Sequence, residues 1–157
     1  MSARPISEAC GKKLLNQELS VSCGSATCRF ASVDETTNWD QLSQEQPWLT
    51  SEKLVVKPDQ LIKRRGKLGL IKVNVDFDTV KQWVKERMGK DQKIGKATGK
   101  IRKFIIEPFL AHKDEEEAYV CIFSSRDNDT ILFCEQGGVD IGDVDTKAHR
   151  LTISVGQ

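Results

Sequence analysis

The sequence lacks the ingredients of several common protein classes. Its five cysteines, Cys10, Cys23, Cys28, Cys121 and Cys134, are odd in number and include no CxxC pair. They give no disulfide framework, so the thiols read as reduced and the compartment as the cytosol. Histidine is scarce, with only His112 and His149. Cys23 and Cys28 have no second pair of ligands beside them, so zinc has little support. No apolar run approaches the about 20 residues that cross a bilayer, and the start carries no apolar segment of a secretion signal. No membrane partner is expected. Charge of neither sign dominates: 24 Lys and Arg stand against 23 Asp and Glu, a net +1. That balance offers no global argument for nucleic acid or a lipid surface. No internal repeat is visible.

What is present suits one domain or two small lobes, since 157 residues are enough to bury a core. The most informative stretch is Leu54 to Leu70, LVVKPDQLIKRRGKLGL. A short apolar run ends in Lys57 and Pro58, a basic loop follows at Lys63-Arg64-Arg65-Gly66-Lys67, and Gly69 precedes a second apolar run to Val75. Glycines let backbone approach a ligand, while N–H groups, Lys and Arg can meet phosphate oxygens. The same loop also reads as a solvated hairpin tip with lysines for solubility, and residue chemistry leaves both readings open.

Elsewhere the spacing predicts a helix from Ser7 to about Gln17 and a short strand from Arg29 to Val33. Residues Asp34–Asn38 offer N-caps for a helix carrying Trp39 and Leu42, ended by Pro47, with Trp48 and Leu49 as core anchors. Asp76 caps a clearer helix, Phe77 to Met88, with Phe77, Val80, Val84 and Met88 on one stripe and Gly89 ending it. Lys90 to Lys103 reads as a mobile basic connection, and Phe104 to Leu110 as a buried strand interrupted by Glu107. His112 to Glu117 is a charged turn. Ala118–Phe123 and Thr130–Cys134 form a hairpin, apolar on both faces as in a central sheet. A last strand covers Leu151–Val155. The acids of Gly137-Gly138-Val139-Asp140-Ile141-Gly142-Asp143-Val144-Asp145 do not match a calcium-loop spacing and read as structural caps. The fold class is α+β, a mixed α/β arrangement with largely antiparallel sheets.

Taken in order, several motifs resemble the amino-terminal ATP-grasp region of the ATP citrate lyase family. They are the opening MSARPISEACGKKLL, Pro47–Leu49, Leu54–Leu70, IGKATG at Ile94–Gly99, IEPF at Ile106–Phe109, EEAYVCI at Glu116–Ile122 and GGVDIGDVD at Gly137–Asp145. Succinyl-CoA synthetase β chains share a shorter version. The resemblance implies a partial ATP-grasp fold of two small lobes: the phosphate-loop lobe at about 20–100, and the start of a second lobe at about 1–19 and 101–157. It implies binding of ATP and, in the full-length enzyme, ATP-driven formation of acetyl-CoA and oxaloacetate from citrate and CoA, in homo-oligomers.

By position, the resemblance places Lys57 on the nucleotide phosphates and Arg65 with Gly66 in the loop covering them. Glu107, Pro108 and Leu110 belong to a strand whose backbone reads the adenine edge, chiefly at Pro108 and Leu110. Glu117 would accept from the ribose hydroxyls. For Glu107 a strand-end acid is an equal reading, and for Glu117 a surface charge competes. The family's magnesium ligands, citrate pocket, CoA site and phosphate-carrying histidine lie further along than this chain reaches, so the polypeptide alone is expected to turn over no citrate. Gln136 stands where the family has glutamate before GGVD, and Cys134 where histidine is more familiar. Two other readings remain: a non-catalytic partner-binding module, and a nucleic-acid surface built from Lys63–Lys67, Lys72 and the Lys90–Lys103 stretch. The balanced charge and the lack of interleaved aromatics argue against the last.

Overall fold

The computed structural model describes residues 5–22, 28–95, 97–137 and 144–154. The chain divides into two compact units, Met1–Phe109 and Leu110–Gln157. The first contains α1 (Glu8–Ser22), β1 (Ala31–Asp34), α2 (Trp39–Glu45), α3 (Trp48–Ser51), β2 (Leu54–Pro58), β3 (Lys72–Val75) and α4 (Phe77–Arg87), followed by β4 (Asp91–Ile94), β5 (Ala97–Lys100) and β6 (Lys103–Pro108). The second contains β7 (Tyr119–Ser124), β8 (Asn128–Cys134), α5 (Val144–Lys147) and β9 (His149–Ser154).

Helix positions follow from their caps. The Asn38 side chain accepts from the backbone N–H groups of Asp40 and Gln41 to start α2, and the Asp76 carboxylate accepts from Thr79 N–H to start α4. Gly89, at φ +71°, ends α4 in the left-handed region and donates its N–H to the Ile101 carbonyl at 2.7 Å.

The main sheet has the order β1-β6-β2-β3, with every neighbour antiparallel. Alternation sorts its two faces. Ala31, Val33, Leu54, Val56, Phe104 and Ile106 point into a buried core with Val80, Trp83 and Val84 of α4. The register puts Val55, Lys57, Ile105 and Glu107 on the opposite face, with Lys57 opposite Ile105 and Val55 opposite Glu107. Between Leu54 and Val56 the pairing with β3 slips, so β3 carries one residue more than β2 between the paired positions. Asn74, at φ +56°, absorbs that bulge in the left-handed region, which asparagine tolerates better than most residues.

Two sequence expectations change. Lys90–Lys103 is not a mobile connection: β4 and β5 pair as an antiparallel hairpin with Asp91 opposite Lys100, turning at Gly95 with φ +61°. Its polar strands hide the alternation that marks a half-buried strand, so the turn glycine was the available signal. Helix α1 lies in the first unit, where Glu8 N–H donates to Asp59 Oδ1 at 2.7 Å.

The second concerns β7 and β8, which do form the expected hairpin but in a three-stranded sheet of order β7-β8-β9 rather than at the centre of a larger one. One face is buried at Thr130, Leu132 and Cys134. On the other, the register aligns Val120 with Phe133 and Ile122 with Ile131, and Val120 and Ile122 are each 67 % exposed. Apolar residues on both faces therefore do not mean burial on both. Gly138, Asp140 and Asp143, along with Cys23, lie outside the described residues.

Candidate functional site

Lys57 leaves the β2 face opposite the core with a side chain only 17 % exposed. Its Nζ lies 2.7 Å from Glu8 Oε1 and 2.7 Å from Glu107 Oε2. Arg65 comes from the basic loop: Nη2 lies 2.7 Å from Glu8 Oε2, and Nη1 donates to the Pro58 carbonyl at 2.6 Å. Lys12, one helical turn after Glu8, adds a third cation 3.2 Å from Glu8 Oε1 and also contacts Glu107 Oε1. Three cations thus surround two half-buried carboxylates, with one positive charge in excess.

The loop that carries Arg65 is internally bonded. Leu70 N–H donates to the Arg65 carbonyl at 2.9 Å and Gly69 N–H to the Gly66 carbonyl at 3.0 Å. Its two glycines serve different needs. Gly69 has φ +65°, where a side chain is strained. Gly66 has no such constraint, and a Cβ there would meet only the Ile71 side chain at 3.8 Å. The fold does not require glycine at 66.

The electrostatics are one-sided. Burial pushes the Glu8 carboxyl up, but hydrogen bonds from Lys57 and Arg65 outweigh it and lower the pKa from 4.5 to about 2. Burial also pushes Lys57 down, opposed by its bond to Glu8 and reinforced by the nearby Lys12 and Arg65 charges. Because the folded pKa of Glu8 is depressed, its contribution is complete above 4.5 and is lost as pH falls toward 2. A shift of that size corresponds to about 3 kcal/mol. Urea midpoints followed from neutral pH into acid should fall steeply in this window, and Glu8→Gln should flatten the fall. An unchanged acid slope in the variant would remove Glu8 from this account.

The remaining expected residues are placed as follows. Glu107 is 14 % exposed at the end of β6, and its carboxylate faces Lys57 and Lys12. Pro108 closes β6 opposite Leu54. Leu110 opens the second unit and is 77 % exposed. Glu117 accepts from His112 Nε2 at 2.8 Å, while His112 Nδ1 meets the Leu110 carbonyl at 2.8 Å. Two acceptors on one ring require both nitrogens to be protonated. The Glu117 bond, followed by the Leu110 carbonyl, accordingly raises the His112 pKa. The structure therefore gathers Lys57, Arg65 and Glu107, with Gly66 next to Arg65 in the chain. Sequence reasoning missed Glu8, Lys12 and Asp59; the signal for Glu8 and Lys12 was the opening ISEACGK motif, and Asp59 lay within the Leu54–Leu70 stretch beside Pro58.

Among the described residues, no three His, Cys, Asp or Glu side chains gather so as to hold a metal ion. Nor, among the described residues, is any helix long and apolar enough to cross a membrane.

A half-buried lysine on a sheet is thus joined through one carboxylate to the arginine of a glycine-bearing loop. The family described as the ATP-citrate synthase ATP-grasp domain matches residues 2–157, and the chain belongs to that family. It is 53 % identical over 156 residues to ATP-citrate synthase of Bos taurus, covering 99 % of this chain and 14 % of that protein. It is 52 % identical over 115 residues to the probable ATP-citrate synthase subunit 2 of Schizosaccharomyces pombe, covering 73 % of this chain and 23 % of that one. Among solved structures, ATP citrate lyase from Methanothrix soehngenii in complex with citrate and coenzyme A superposes with a TM-score of 0.87 at 36 % identity, over 99 % of this chain and 36 % of that one. The mixed α/β fold with antiparallel sheets is thus an ATP-grasp fold. The chain spans about one seventh of the bovine relative's length.

Proposed function

We propose that residues 54–70 form a grip for the phosphates of ATP, and that the chain serves the ATP-dependent conversion of citrate and coenzyme A to acetyl-CoA and oxaloacetate. One observation carries this reading: in a member of the ATP-grasp family, Lys57 of β2 and Arg65 of the loop are brought to the same carboxylate. Lys57 and Arg65 neutralise phosphate charge, and the backbone at Gly66 lies open to the phosphate oxygens. Glu107 acts through its carboxylate as the counter-charge of Lys57, leaving the adenine edge to the backbone at Pro108 and Leu110. Glu117 is the acceptor for ribose hydroxyls. The same reaction draws on magnesium, citrate and CoA, and the protein would work as a homo-oligomer. We place the chain in the cytosol, a reading supported by the free thiols of Cys10, Cys28, Cys121 and Cys134.

Titration calorimetry with ATP tests the grip. The wild-type chain should bind saturably, and Lys57→Ala should weaken binding about 30-fold, the size of a charge-assisted hydrogen bond. No binding at millimolar ATP would overturn it. A second reading, a partner-binding module, draws support from the exposed row Val120, Ile122, Phe133 and Leu151 on the second unit's sheet. It gains if ATP does not bind while another chain of an ATP-citrate synthase does.

A further inference from the structure

Glu8 has no assigned role, yet more of the cation geometry runs through it than through any other group in the cluster. Its two oxygens are divided between two parts of the chain, Oε1 on Lys57 and Oε2 on Arg65, each at 2.7 Å. Its own backbone is fixed as well. Glu8 N–H donates to Asp59 Oδ1 at 2.7 Å, and Ala9 N–H reaches both Asp59 oxygens at 3.4 Å. Asp59 is buried, and its backbone N–H donates to the Lys103 carbonyl at 2.9 Å. The preceding residue, Pro58, offers the carbonyl that holds the other end of the Arg65 guanidinium at 2.6 Å. The start of α1, the end of β2 and the basic loop are therefore tied into one closed set of bonds.

We propose that Glu8 is the positioning residue of the phosphate grip: one carboxylate on the first turn of α1 sets the spacing of Lys57 and Arg65 for the phosphates of a nucleotide. The inference rests on the nucleotide reading above. Lysine and arginine side chains are long and lose much rotamer freedom when fixed, and two neighbouring cations repel. A shared acceptor holds them together before any phosphate arrives, which lowers the ordering required on binding. Among the described residues, donors remain for a ligand. Lys57 has three and directs two at Glu8 and Glu107, while Arg65 has five and directs two at Glu8 and Pro58. The Glu8 contact also favours the charged form of the half-buried Lys57, against the pull of desolvation. Lys12 and Asp59 act one step further out: Lys12 bridges the two acids, and Asp59 anchors the helix start where the N–H groups need acceptors.

The test is a double-mutant cycle on ATP affinity in the full chain, using Glu8→Gln, Arg65→Gln and the double variant, each checked for folding by circular dichroism. Glu8→Gln should weaken ATP binding about tenfold, the lower end of what groups that orient ligand-binding side chains contribute. Because Glu8 acts through its partners, the double variant should bind little more weakly than Arg65→Gln alone. A merely structural role would give additive losses. Wild-type affinity in Glu8→Gln, or additivity in the cycle, would overturn the inference while leaving the nucleotide reading intact. Absence of ATP binding by the wild type would instead overturn that reading and this one with it. If Glu8→Gln does not fold, Glu8→Asp takes its place, keeping the charge and shortening the reach. The expected direction is the same, and unaltered affinity overturns the proposal.

Discussion

Phe104→Ala is expected to lower the stability of the first unit by about 3–5 kcal/mol, the usual range for emptying a fully buried aromatic site. Phe104 has no exposed surface and stands on the central strand β6, paired with Val33 of β1 and Pro58 of β2. Its ring meets Trp83 edge to face, with centroids 5.7 Å apart at 79°. Truncation removes that contact and opens a void between sheet and helix that rigid backbone on both sides cannot close. Urea unfolding read by tryptophan fluorescence measures the loss. Val73→Ala is the control within the same unit, since Val73 is 53 % exposed and its truncation should matter far less. Equal losses for the two would contradict the core placement of Phe104.

Gly137→Ala is expected to destabilise the second unit by about 3 kcal/mol, at the upper end of overpacking effects. A Cβ at this position would lie 2.6 Å from the carbonyl carbon and oxygen of Ala118 and 2.8 Å from its nitrogen. These are backbone atoms, so no rotamer change relieves the collision. The same approach lets Gly137 N–H donate to the Glu117 carbonyl at 2.7 Å, tying the end of β8 to the entry of β7. Amide exchange in β7 and β8 should accelerate in the variant. Unchanged protection there would show that the backbone can move apart without loss.

Some of this architecture is legible in the sequence because its causes are local. Asp76 followed by Phe77, Val80 and Val84 defines both the start and the buried stripe of α4. Asn38 caps α2, and the apolar run Phe104–Ile106 marks the central strand. Lys57 and Arg65 stand out through their motif, and the structure brings them to one carboxylate. What the sequence hides is long-range or unpatterned. The carboxylate joining them belongs to Glu8, 57 residues before Arg65, and Lys12 meets Glu107 across 95 residues. No periodicity encodes such pairs. The β4–β5 hairpin escapes because its strands are polar. The outward face of β7 and β8 misleads because apolar side chains were equated with a covered sheet.

The position of β6 has a consequence for how the first unit assembles. It lies between β1 and β2 in the sheet although it follows both in the chain, with Ala31 opposite Ile106 and Leu54 opposite Pro108. Until residues 103–108 have emerged from the ribosome, β1 has no partner strand and β2 has only β3. Closing the sheet therefore joins segments about 70 residues apart, the kind of distant pairing that slows folding. The same late strand carries Glu107, so the acid that faces Lys57 arrives with the step that completes the sheet.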